Sequence, residues 1–124
     1  MARLKQLVVD SREPSTLALF WAAVLDDFEI RAYDDEEIAR LASFGRTPET
    51  DPCVVLDGPM LEICFQEIDV RTTTKRPMHV DIEVTNRATE TTRLVSLGAS
   101  IVQVFETHTW MRDPEGNDFC LTDA

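Results

Sequence analysis

The sequence predicts an α+β fold in which one order of elements, a strand, a helix and three further strands, occurs twice along the chain. Three observations point to it. Runs of alternating polarity, such as Met78-His79-Val80-Asp81-Ile82-Glu83-Val84, have the period of half-buried strands. Two longer segments place apolar residues at helical spacing. The pattern then restarts after a polar, basic stretch near the middle of the chain.

The first half opens with a strand at residues 4–10, where Val8 and Val9 are β-branched and Asp10-Ser11 supplies turn residues. A helix follows from Glu13-Pro14-Ser15, since proline is tolerated in a first turn. Leu17, Phe20, Trp21, Val24 and Leu25 form its apolar face, with Phe20 and Trp21 expected in the core or between protomers. Residues 29–33 suit a second strand. Asp34 to Ala42 reads as a short helix capped by Asp34, with Ile38 and Leu41 facing inward. Residues 44–52 are loop by their Gly and Pro content. Residues 53–56 form a buried strand, Asp57-Gly58-Pro59 a turn and residues 60–68 a strand. On that last strand Leu61, Ile63 and Phe65 share one face, and Glu62, Cys64 and Gln66 the other.

Residues 69–77 read as a linker, so the single domain spans 1–124, with repeat one at 1–68 and repeat two at 78–124. In the second repeat's first strand, Val80, Ile82 and Val84 share one face and His79, Asp81 and Glu83 the other. Residues 86–97 are helical and stop at Gly98. Residues 101–105, 108–111 and 119–122 are strands, the last two joined by the tight turn Asp113-Pro114-Glu115-Gly116-Asn117. There Pro114 pre-sets φ, while Gly116 and Asn117 accept conformations that other residues resist.

Composition narrows the function. The chain has 124 residues, 44% hydrophobic and 28% charged, as an ordinary globular domain has. Its net charge of −11 disfavours nucleic acid and anionic membrane surfaces, which need a basic footprint. The run Asp34-Asp35-Glu36-Glu37 is a solvated face. No apolar run reaches the roughly 20 residues of a membrane-spanning helix. The first residues lack the apolar stretch and cleavage site of a signal peptide, so a cytoplasmic protein is expected. The three cysteines, an odd number, argue against a disulfide framework, and Cys53 and Cys64 are expected to be small core residues. No glycine-rich phosphate loop occurs, and Ser11, Ser43, Ser96 and Ser100 lack the context of a nucleophile elbow.

Three segments bear a family resemblance. Residues 6–14 followed by Leu19-Phe20-Trp21-Ala22-Ala23-Val24-Leu25 resemble the first strand and helix of the vicinal oxygen chelate superfamily, which includes glyoxalases, bleomycin-resistance proteins and extradiol dioxygenases. His79-Val80-Asp81-Ile82 resembles the start of that family's second repeat. Asp113-Pro114-Glu115-Gly116-Asn117-Asp118-Phe119-Cys120 resembles the closing motif of a glyoxalase-like subgroup. The resemblance implies two βαβββ repeats forming a curved, partly open mixed β-sheet barrel with helices outside. It also implies a homodimer and a small-molecule cavity between the repeats.

Metal-dependent members hold one divalent ion with four side chains, two from each repeat. The matching positions here are Gln6, Glu62, His79 and Cys120. Gln6, Glu62 and His79 are an N/O set suited to Zn²⁺, Ni²⁺, Fe²⁺ or Mn²⁺. Cys120 stands where metal-dependent members have Glu, and a soft thiolate fits such a set poorly. The primary expectation is therefore a metal-free protein, with no cofactor, that binds a small organic molecule; whether it is an enzyme is left open. The alternative is a metal-dependent lyase, isomerase or dioxygenase using Gln6, Glu62 and His79. A metal-free enzyme with Glu62 or His79 as general base is a third reading. Glu62, His79 and Trp110 are the expected pocket residues, although His79 paired with Asp81 and Trp110 in the core are equally natural placements.

Overall fold

The computed structural model describes residues 2–68 and 78–124, and the expected linker at 69–77 lies outside them. The elements run β1 (Ala2–Ser11), α1 (Pro14–Val24), β2 (Glu29–Ile30), α2 (Asp35–Ala42), β3 (Cys53–Asp57) and β4 (Glu62–Glu67), then β5 (Met78–Val84), α3 (Arg87–Ser96), β6 (Ser100–Val104), β7 (His108–Arg112) and β8 (Asp118–Asp123). A 3-10 turn at Pro48–Thr50 interrupts the expected loop. The fold is α+β, and the order strand, helix, three strands occurs twice, with α2 inserted in the first copy. No helix among the described residues is long and apolar enough to cross a membrane. The chain divides into two compact units, Val8–Pro77 and Met1–Leu7 with Met78–Ala124, so β1 contributes to both.

In Val8–Pro77 the strand order is β2-β3-β4-β1. β3 and β4 are antiparallel, with Val54 opposite Phe65 and Leu56 opposite Ile63. Alternation turns Val54, Leu56 and Phe65 toward Ala18 of α1, and these four residues form the core. Of the expected inward face of α1, Leu17 packs against this core, but Phe20, Trp21 and Val24 do not turn inward. Pro14 and Ala18 are its buried residues, whereas Leu19 is 59% and Phe20 56% exposed, with Trp21 and Val24 also exposed. Residues 14, 18 and 22 are small and one turn apart, which lets the helix lie close to the sheet. The other flank is also apolar, so periodicity alone could not choose between them. In α2, Asp34 caps the helix by accepting from the Glu37 N–H at 2.7 Å. Leu41 is buried as expected, but Ile38 is exposed. Cys64 is buried, whereas Cys53 is exposed rather than in the core.

In the unit of Met1–Leu7 and Met78–Ala124 the order is β1-β5-β8-β7-β6. β5 and β8 are parallel, while β8, β7 and β6 are antiparallel neighbours. Val84, Met111 and Leu121 form the core, with Ile82, Phe119 and Leu94 of α3 packed on it. Asn86 caps α3 through the Thr89 N–H at 3.0 Å. Gly98 follows the helix with φ of +107°, a conformation that glycine adopts without a Cβ penalty.

Candidate functional site

The face of β5, β8 and β7 turned away from Val84, Met111 and Leu121 is polar. Register sets its composition: Asp81 lies opposite Cys120 across the parallel pair. Trp110 lies opposite Cys120, and His108 opposite Thr122, across the antiparallel one. His79 joins this face because it is two residues from Asp81 on the same strand.

Asp81 is the centre of the group. It is buried, and its Oδ2 accepts a hydrogen bond from Gln6 Nε2 at 2.7 Å. Its Oδ1 lies 3.5 Å from His79 Nε2. The Asp81 hydrogen bond, followed by one to Cys120, pushes the His79 pKa up from 6.5 to about 10, against the opposing effect of burial. The shift favours the imidazolium form of His79 at neutral pH. One donor atom each from His79, Asp81 and Cys120 lies within 4.8 Å of the other two.

Neighbouring groups frame this cluster. The Trp110 indole N–H donates to Asp118 Oδ1 at 3.2 Å, and the Arg112 guanidinium lies 5.6 Å above its ring. The Thr122 hydroxyl oxygen is buried with no hydrogen-bond partner among the described residues. On the opposite face of the sheet, the one that carries Val80, Ile82 and Phe119, lies a cavity of about 440 Å³ whose wall is mainly apolar, including Leu7, Val80, Ile82, Leu94 and Phe119, with His79 at its border. The closing turn shapes one side of it. Asp113 Oδ1 accepts from the N–H groups of Glu115 and Asn117, both at 2.9 Å, and Gly116 takes φ of +85°.

Glu62 belongs to the other unit, where its Oε1 accepts from Arg31 at 2.8 Å. Arg31 also holds Asp57, at 2.6 Å, and these two carboxylates keep its pKa raised. Beside this trio a second cavity of about 520 Å³ is bounded by Arg31, Tyr33, Arg40, Asp51 and Cys53. Tyr33 donates to Asp51 Oδ2 at 2.6 Å, and the Cys53 N–H donates to Asp51 Oδ1 at 2.9 Å. Burial and then Asp51 push the Tyr33 phenol upward, which leaves it a neutral donor. Arg40 is paired with Glu37.

Of the residues expected at a site, Gln6, His79 and Cys120 therefore gather around Asp81, with Trp110 opposite Cys120. Glu62 is engaged by Arg31 within its own unit. The sequence marks Asp81 only as a structural partner of His79, although strict alternation already places both on one strand face. Arg31 as the holder of Glu62 has no local signal.

A family model described as a glyoxalase-like domain matches residues 6–122. Among solved structures the chain is similar to a hypothetical protein from Bacillus halodurans, at 11% identity over 99% of this chain and 94% of that one, with a TM-score of 0.65. A glyoxalase/bleomycin resistance protein/dioxygenase superfamily member from Vibrio splendidus is similar at 12% identity over the whole of both chains, with a TM-score of 0.62. A Staphylococcus aureus protein is similar at 12% identity over 98% and 93%, with a TM-score of 0.57. Likeness at these identities extends to the fold alone. No curated protein matches the sequence.

Proposed function

Because the chain belongs to the glyoxalase-like domain family, we propose that it is a binding protein for a small organic molecule, held by His79 without a metal ion. The observation that carries this reading is the pairing around Asp81. Gln6 and His79 already satisfy its carboxylate, and the proton on His79 occupies the place a divalent ion would compete for. The imidazolium is then a hydrogen-bond donor for a carbonyl or carboxylate oxygen. His79 is also the one member of the cluster that borders the largely apolar cavity of about 440 Å³ on the opposite face of the sheet, which has the size and character of a small-molecule site. Glu62, held by Arg31, contributes no free base to this reading.

A second reading has its own observation. His79, Asp81 and Cys120 offer N, O and S donors close enough to share one ion, a set compatible with Zn²⁺. Asp81 then takes the part that the family resemblance gave to Glu62. Such an ion would supply Lewis-acid polarisation of a substrate oxygen.

Thermal unfolding separates the two. Tag-free protein is tested with EDTA, then with Zn²⁺, Ni²⁺, Co²⁺, Mn²⁺ or anaerobic Fe²⁺, and separately with a panel of small aromatic and aliphatic 2-oxo acids in EDTA. A ligand at a hundredfold excess over its dissociation constant stabilises the folded state by about 2.7 kcal/mol. The metal-free reading expects stabilisation by an organic acid in EDTA that is lost in His79→Ala. Stabilisation by one metal alone, abolished in His79→Ala and Cys120→Ser, would overturn it in favour of the metal centre.

The exposed apolar residues of α1 support a homodimer as part of the same proposal, since Leu19, Phe20, Trp21 and Val24 are all exposed on one helix. A second copy of this chain is the occupant we assign to it.

A further inference from the structure

We propose that Cys53 and Cys64 are a dithiol site that a hydroperoxide converts to an intramolecular disulfide across β3 and β4. The pairing register makes the two neighbours: Val55 lies opposite Cys64, and Cys53 is two residues before Val55, on the same face and diagonal to Cys64. Their sulfurs are 2.7 Å apart. A disulfide needs about 2.05 Å, so closure asks for side-chain rotation rather than a new strand register.

The surroundings assign different parts to the two thiols. Cys53 is exposed and borders the cavity that also holds Arg31, Tyr33, Arg40 and Asp51. Cys64, diagonal to it, is buried, 4% exposed. A reagent in solution therefore meets Cys53 first. The hydrogen bond with Cys64 lowers the Cys53 pKa from its ordinary value, while burial and Asp51 push the other way. Arg31 and Arg40 add to the lowering.

The chemistry balances with the peroxide as the two-electron oxidant. The Cys53 thiolate attacks one peroxide oxygen, the O–O bond breaks, and Cys53 becomes a sulfenic acid as hydroxide or alkoxide leaves. The Cys64 thiolate then attacks the Cys53 sulfur, the S–S bond forms, and hydroxide leaves to be protonated to water. Two thiols and one hydrogen peroxide thus give one disulfide and two waters. The product pins β3 to β4 on the cavity side and removes the only cysteine thiol that borders that cavity among the described residues. A small thiol reverses it by exchange.

The test uses the full-length, tag-free protein, reduced, freed of reductant and treated with an equivalent of hydrogen peroxide. Remaining thiols are then alkylated under denaturing conditions and counted by intact mass. The chain has three cysteines, and the expected count falls from three to one, with a Cys53–Cys64 cross-linked peptide after digestion. Cys120→Ser should lose both its remaining alkylatable thiols. Cys53→Ser, at an exposed position, should fold normally and form no intramolecular disulfide. An unchanged count of three, a sulfinic acid on Cys53 with Cys64 still alkylatable, or a Cys53-linked dimer instead of the internal bond would each overturn the proposal. Because none of these readouts involves His79, failure here is distinguishable from failure of the ligand-binding reading.

Discussion

Replacing Asp81 with Asn removes the charge beside His79 and keeps the side chain's shape. Asp81 is the largest cause of the rise that takes His79 from 6.5 to about 10. A tenfold change in an acid dissociation constant corresponds to about 1.4 kcal/mol, so this rise sets a ceiling of roughly 5 kcal/mol on the preference for the charged ring. The His79 side chain is 25% exposed, and water screens part of the interaction, so we expect about 2 kcal/mol. The sign follows from linkage. The folded pKa lies above the unfolded one, so the stabilisation is complete below about pH 6.5 and is lost as pH rises toward 10. Urea unfolding in the presence of a chelator should show wild type ahead of Asp81→Asn by about 2 kcal/mol near pH 6. Most of that lead should be gone near pH 9.5. Proton NMR in a His108→Gln background, where His79 is the one histidine left, reads the titration directly. A His79 resonance that titrates near 6.5 in the wild type, or a stability gap that does not change with pH, would refute the reasoning.

Three other perturbations follow from the packing. Phe65→Ala empties the centre of the Val54, Leu56 and Ala18 core, where Phe65 is 1% exposed, and should cost about 3–5 kcal/mol in chemical unfolding. Gly58→Ala would drive its Cβ into the Phe28 ring, so a loss of about 1–3 kcal/mol is expected and Gly58→Ala with Phe28→Leu should recover part of it. Phe20→Glu on the exposed flank of α1 should convert a dimer to a monomer in sedimentation velocity without lowering the monomer's helical signal; a wild-type protein that is monomeric at every concentration would remove the dimer from the picture.

Much of the fold was legible because its signals are local. The Asp34 cap, the stop at Gly98 and the turn at Asp113–Asn117 each rest on hydrogen bonds or dihedral preferences within a few residues. The two faces of β5 were legible for the same reason, since Val84 goes to the core and Asp81 to the polar side as alternation requires. The orientation of α1 was not. A helix apolar on both flanks has no periodic signal to separate them, and close approach to the sheet selected the small residues Pro14 and Ala18. The candidate site was half legible: His79 and Cys120 followed from family motifs, while the role of Asp81 depends on where Gln6 lies, 75 positions away in the chain.

By itself the sequence determined the α+β class, the doubled strand-helix-strand order, the strand faces and the family to which the chain belongs, because each depends on periodicity or on short motifs. The tertiary structure decided which side chains meet. Strand register set Asp81 opposite Cys120, brought the sulfurs of Cys53 and Cys64 to 2.7 Å, and gave Glu62 to Arg31. Register is a pairing between distant segments, fixed by the burial of whole faces, and no single segment contains that information.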